Sequence, residues 1–421
     1  MGKPGDIIVA LDIGTTKTCA VVGEVVADGV DITGVGESRS RGLRKGVVVN
    51  IESTVASIKE AVERAGNVAG VQIASVYAGL AGSHVRGVNS HGIVTIAGRE
   101  VAQDDVGRVL DQAQHIQIPG DRRVIHVLPQ DYIVDAQDGI REPIGMAGVR
   151  LEARAHLITA AETSIQNLTK CADRCQLHMA DLVLSVLASA EAVVTEDEKE
   201  IGVAVVDIGG GTTDVILYVD GSVAHTAVLP MGGMNLTADI AAGLRTPTTE
   251  AERLKLRYGC AVASLVDPTE MIEVPGVGGR AAQPVSRQLL ANIAEPRMEE
   301  IFRFVGRVIM DSGYRDLLGA GVVICGGGSI LEGTPELAEH VLGLPTRRGE
   351  PTGVGGLVEM VRSPSMATAV GLLKWGASRP ARPMVPPVAS SRPGPVKVPP
   401  GQASKMTGTL GRIKDWISEV F

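Results

Sequence analysis

An α/β chain built from two related halves is the fold predicted for these 421 residues, and three observations predict it. A strand hairpin punctuated by Asp-Ile-Gly occurs twice, at 7–25 and at 202–221. A third apolar strand ends in a glycine turn, GVVICGGGSILEG, at 321–333. Strand-like runs also alternate with helical ones along the chain, as α/β folds require. The composition permits this fold, since 44% hydrophobic and 21% charged residues make an ordinary globular balance and exclude a disordered chain. The length allows two or three domains around sizeable cores.

The first hairpin reads IIVALDIGTTKTCAVVGEV and the second GVAVVDIGGGTTDVILYVDG. Each is an apolar β-rich run, a small polar turn and a second β-rich run, so one unit is used twice, 195 residues apart. Residues 52–66 carry apolar positions near a 3.6 period and predict a helix. Residues 85–159 differ, with short strands, a helix near 103–115 and a strand pair around VIHVLPQDYIVD. They predict a separate inserted subdomain. Residues 245–316 predict a mainly helical one, and a short helix is expected from about Pro335. After Trp375 the composition changes: residues 376–405 hold eight of the 22 prolines, which predicts an extended linker. Beyond it, TGTLGRIKDWISEVF places Leu410, Ile413, Trp416, Ile417, Val420 and Phe421 on one helical face.

Net charge is −8 and aromatics number 2 Trp, 5 Tyr and 3 Phe. That argues against a nucleic-acid partner, which calls for a basic groove with stacking rings. The five cysteines (Cys19, Cys171, Cys175, Cys260, Cys325) are scattered and predict reduced core residues rather than a zinc site. No signal peptide precedes the first strand and no run approaches a spanning helix, so a cytoplasmic protein is expected. Residues 376–421 carry seven basic residues against two acids, so the tail alone suits an anionic partner.

The two hairpin turns carry the chemistry. In the first, Gly14 lets the main chain approach a phosphate, Thr15 and Thr16 add hydroxyls, and Lys17 adds a positive charge. Gly209, Gly210, Gly211, Thr212 and Thr213 repeat the arrangement. Asp12 and Asp207, at the strand ends, suit Mg²⁺ held through water.

Two such hairpins with a late glycine turn resemble the superfamily of actin, sugar kinases and heat-shock chaperones. Within it, the chain most resembles the family of the bacterial cell-division protein FtsA over residues 6–375. The resemblance is carried by RVIHVLPQDYIVDAQDGIREPIGMAGVRLEARAHLIT (123–159), LASAEAVVTEDEKEIGVAVVDIGGGTTD (187–214) and MGGMNLTADIA (231–241). It implies an actin-like two-domain ATPase fold with an inserted SHS2-type α+β subdomain and a C-terminal tethered amphipathic helix. The implied layout is a first core subdomain (6–84, 160–200 and 366–378), the insert (85–159), a second core subdomain (201–244 and 317–365) and a helical subdomain (245–316). A linker (379–406) and a membrane-targeting helix (407–421) complete it. The resemblance further implies ATP with Mg²⁺, the phosphates lying on Gly14 to Lys17 and on Gly209 to Thr212, with Gly232 and Gly233 beside them. Glu252 and Lys255 match its ribose contacts, though alone they read as an i,i+3 surface ion pair. Gly326, Gly327 and Gly328 would pack against adenine. FtsZ would contact Arg287, Asn292 and Arg297, and other division proteins the insert.

One departure bears on catalysis. Actin-type and chaperone-type relatives place a Gln or Glu on the helix before the second phosphate strand, to orient the attacking water. Here DLVLSVLASAEAVV puts Ser185 to Ser189 toward the cleft, with Glu191 at its far end. Slow or negligible hydrolysis is expected, and no catalytic residue is assigned. The implied function is a structural one: a filament-forming, ATP-binding protein that anchors FtsZ to the inner face of the membrane at the septum. The alternatives are an actin-like protein of type IV pilus assembly and, from another class, a sugar kinase. The kinase lacks a persuasive catalytic Asp here, and the pilus protein lacks the tethered helix.

Overall fold

A computed structural model describes residues 2–278 and 280–378. The expected membrane residues (Leu410, Ile413, Trp416, Ile417, Val420, Phe421) and the linker lie outside the described residues.

Two sheets built on one plan form the body. In the first, strands Ile7–Ile13, Lys17–Val26 and Gly29–Arg39 run as an antiparallel meander. Ser75–Leu80 and His178–Leu184 then add in parallel on the far side of Ile7–Ile13. The second repeats this with Val203–Ile208, Thr213–Val219 and Ser222–Leu229, followed in parallel by Val322–Cys325 and Thr346–Arg348. Both therefore share the strand order third, second, first, fourth, fifth. Ile8 to Leu11 and Val203 to Val206 are buried at every position. Such unbroken apolar runs belong to strands covered on both faces.

The helix Ile51–Ala69 packs on the first sheet, longer than the 52–66 expected; Asn50 caps it by accepting from Ser53 N–H at 2.9 Å. The helix Ala367–Ser378 packs on the same sheet and on the helix Ser185–Val193. The stretch DLVL, expected within a helix, is strand, and the helix starts at Ser185. Gly355–Gly356 pairs with Asp31 and Ile32 on the first sheet. That corrects the expected assignment of all of 317–365 to the second half. A two-residue strand carries no hydrophobic alternation to announce it.

The insert is a sheet of Arg86–Thr95, Arg150–Ala161, Arg122–Val134 and Gln137–Ile140, with the helix Gln103–Gln114 against it. Where a strand pair was expected at VIHVLPQDYIVD, one 13-residue strand runs through. It tolerates Pro129 because the register slips there, leaving Gln130 out of the ladder. The insert also ties to the second half: Gln130 Nε2 donates to Val223 O at 2.8 Å, and the His156 ring bridges Asn89 Oδ1 (2.6 Å) and Thr226 Oγ1 (2.9 Å).

In the second half, the helices Gly233–Leu244, Thr248–Tyr258 and Arg287–Ser312 surround Leu236, Ile240, Leu254, Leu290, Met298 and Phe302. A short hairpin, Met271–Val274 with Gln283–Ser286, joins them.

Candidate nucleotide site

The two glycine turns are the same turn. Gly14 N–H donates to Lys17 O at 3.0 Å, and Gly209 N–H donates to Thr212 O at 2.9 Å. They face each other closely. A Cβ on Gly210 would stand 2.5 Å from Thr16 Cγ2, and one on Gly211 would stand 2.7 Å from Thr15 Oγ1. Only glycine leaves main-chain N–H groups exposed at such an approach. Behind the turns the helix Gly233–Leu244 abuts the second loop, with Gly233 N–H on Gly209 O (2.9 Å) and Met234 N–H on Gly210 O (2.8 Å). A Cβ on Gly232 would stand 2.4 Å from Gly209 O, so that glycine packs on the loop, and Gly233 borders the cleft.

Between the turns lies a cavity bordered by Asp12, Gly14 to Lys17, Asp207 and Gly209 to Thr212. Lys17 Nζ donates to Ser365 O at 3.1 Å and pairs with Glu37 at 3.1 Å. Asp207 accepts from Ser189 Oγ at 2.6 Å and Thr368 Oγ1 at 3.3 Å. Asp214, which sequence reasoning missed, also borders the cavity. Its Oδ2 accepts from Thr212 Oγ1 at 2.8 Å, while Oδ1 is buried with no hydrogen-bond partner among the described residues.

Burial pushes the Asp12 carboxyl up to about 7, against the pull of Lys17 and with the push of Asp207. Burial and then the Asp207 charge push Asp214 up to about 7 as well. Asp207 is raised too, by burial, with the Ser189 and Thr368 hydroxyls opposing. Three acids at the cleft, Asp214 buried and Asp12 and Asp207 half-buried, that disfavour their own charge make a site that a cation stabilises. Among the described residues no three His, Cys, Asp or Glu side chains stand close enough to hold a metal alone. The donor set fits Mg²⁺ completed by phosphate oxygens and water, and the glycine cradle fits the phosphates.

A second cavity shares Thr16, Gly209, Gly210 and Gly327 with the first. Glu252 and Lys255 border it, and they are also ion-paired at 2.8 Å. Gly327 and Gly328 border it, whereas Gly326, at φ +79°, lies against Asp207. A side chain there would need a strained backbone and would strike that carboxylate.

Ser185 borders the first cavity, Ser189 is taken up by Asp207, and Glu191 pairs with Lys199 at 3.4 Å. The three residues expected at an FtsZ contact separate. Asn292 is exposed on the long helix. Arg297 pairs with Asp239 and Glu300. Arg287 borders the second cavity and pairs with Glu270 (2.9 Å) and Glu332.

Comparison with known proteins agrees with this fold. The model of the cell division protein FtsA matches residues 204–371, and that of the SHS2 domain inserted in FtsA matches 82–159. Cell division protein FtsA of Pseudomonas aeruginosa is 52% identical over 378 residues, 90% of this chain and 91% of that protein. The Neisseria meningitidis protein is 44% identical over 416 residues, 98% of each. Among solved structures, the PilM–PilN type IV pilus biogenesis complex superposes with TM-score 0.64 at 17% identity, over 89% of this chain and 99% of that one. MreB5 of Spiroplasma citri bound to ADP gives 0.52 at 14% identity, over 88% and 95%. These likenesses show the actin-like fold alone.

Proposed function

The chain belongs to the FtsA family of actin-like cell-division proteins, and from that premise we propose that it binds Mg·ATP in the cleft, assembles into filaments and anchors FtsZ to the membrane at the septum. The observation that carries this reading is the pair of matched glycine turns, facing each other beside Asp12, Asp207 and Asp214. MreB5, of the same fold, is bound to ADP. The nucleotide acts mainly as a ligand that closes the cleft. Ser185, which borders the cleft at the start of the helix Ser185–Val193, offers no amide or carboxylate to orient a water, so hydrolysis is slow.

Among the described residues no helix is long and apolar enough to cross a membrane. Attachment then falls to residues 407–421, which read as an amphipathic helix lying in the lipid interface. One such helix binds weakly, and assembly multiplies it by avidity. The peptide contact with FtsZ belongs on the long helix at Asn292 and Arg297, whose guanidinium suits an acidic tail. The insert is the surface offered to other division proteins.

Co-sedimentation with anionic liposomes tests the proposal. The full chain should sediment with lipid more strongly in ATP, and truncation after Trp375 or Trp416→Glu should abolish this. Equal sedimentation of truncated and full chains would refute the anchor.

A further inference from the structure

We infer that Arg287 is a positioning residue for the base end of the nucleotide cleft, locking together the three walls that would hold a purine ring; this rests on the nucleotide reading above. Arg287 opens the helix Arg287–Ser312, and its side chain is 18% exposed. Its Nε donates to Tyr258 O at 2.9 Å, its Nη1 to Glu270 at 2.9 Å and its Nη2 to Glu332. Tyr258 ends the helix that carries Glu252 and Lys255. Glu332 follows the glycine turn, and its carbonyl accepts from Ala261 N–H at 2.7 Å. One guanidinium therefore joins the end of one helix, the start of another and the segment after the turn. These walls already touch, since a Cβ on Gly259 would strike the Leu331 side chain.

Arg287 and Glu332 border only the second cavity, not the one between the phosphate turns. That second cavity is also faced by Leu236, Leu256, Met298, Ile330 and Leu331, an apolar lining suited to a flat ring. A planar fork with five donors can serve three acceptors in fixed directions, and an ammonium cannot. The same three bonds occupy Arg287 within the chain.

The test titrates the full-length protein with ATP and, separately, with inorganic tripolyphosphate, both with Mg²⁺. Tripolyphosphate fills the phosphate end only. Arg287→Gln, Arg287→Lys and the near-isosteric Glu332→Gln should each weaken ATP roughly tenfold or more, leaving tripolyphosphate affinity as in the parent. A parent that binds ATP together with variants that bind it equally well would overturn the inference alone. Equal weakening of both ligands would also overturn it, by showing a general structural role. A parent that binds neither ligand would overturn the cleft reading and the inference with it.

Discussion

In the first hairpin Asp12 faces Cys19 across the ladder and Lys17 closes the turn; in the second Asp207 faces Asp214 and Thr212 closes it. The backbone is common and the charges are not. At these facing and closing positions the first hairpin brings one acid, a thiol and a cation, the second two acids and a hydroxyl. Asp214 is tolerated because Thr212 donates to it at 2.8 Å. At the matching position Lys17 instead reaches Ser365. A duplicated fold has been loaded asymmetrically, with the acids gathered where a cation would sit.

Exchanging the facing residues breaks this comparison most severely. Cys19 is fully buried, and its thiol is pushed up to about 12 by burial. Cys19→Asp would add an acid beside Asp12 with no hydroxyl to receive it, and should destabilise the fold by about 3 kcal/mol or more. Asp214→Cys should fold with little loss, yet bind Mg·ATP weakly. Thermal melts and calorimetry check both, and equal melting temperatures for parent and Cys19→Asp would count against the asymmetry.

Next in size is Gly210→Asp, which drives a carboxylate against Thr16 and onto the phosphates. Nucleotide binding should disappear while the melting temperature changes by only a few degrees. Retained binding by calorimetry would mean that the second turn does not cradle phosphate.

A smaller effect concerns the joint between insert and second half. Burial, with the nearby His225 adding to it, pushes His156 down to about 4. The unfolded chain holds this proton more tightly, so the contribution to stability is full above about pH 6.5 and is lost as pH falls toward 4. His156→Gln should remove that part of the acid destabilisation. Melting curves of parent and variant between pH 7 and pH 4.5 should therefore converge, and parallel curves would contradict it.

Much of this was legible in the sequence, and the losses have physical reasons. Asp-Ile-Gly ending an apolar run marks both turns, and the proline break marks the insert's irregular strand only once its partner is known. Asp214 read as strand, although its place seven residues after Asp207, across a tight turn, could have signalled that the two face each other. The role of Arg287 was hidden because its acceptors, Tyr258, Glu270 and Glu332, are scattered in sequence and meet only in the fold. Gly355–Gly356 is a strand by neighbourhood, not by pattern.

The most direct measurement is a calorimetric titration of ATP into the parent and into Asp12→Ala, each with Mg²⁺ and with chelator. A cleft closed by two turns around a shared cation predicts one tight site in the parent with Mg²⁺. It also predicts a large loss on chelation and a variant that binds weakly whether Mg²⁺ is present or not. Equal affinity in all four titrations would contradict it.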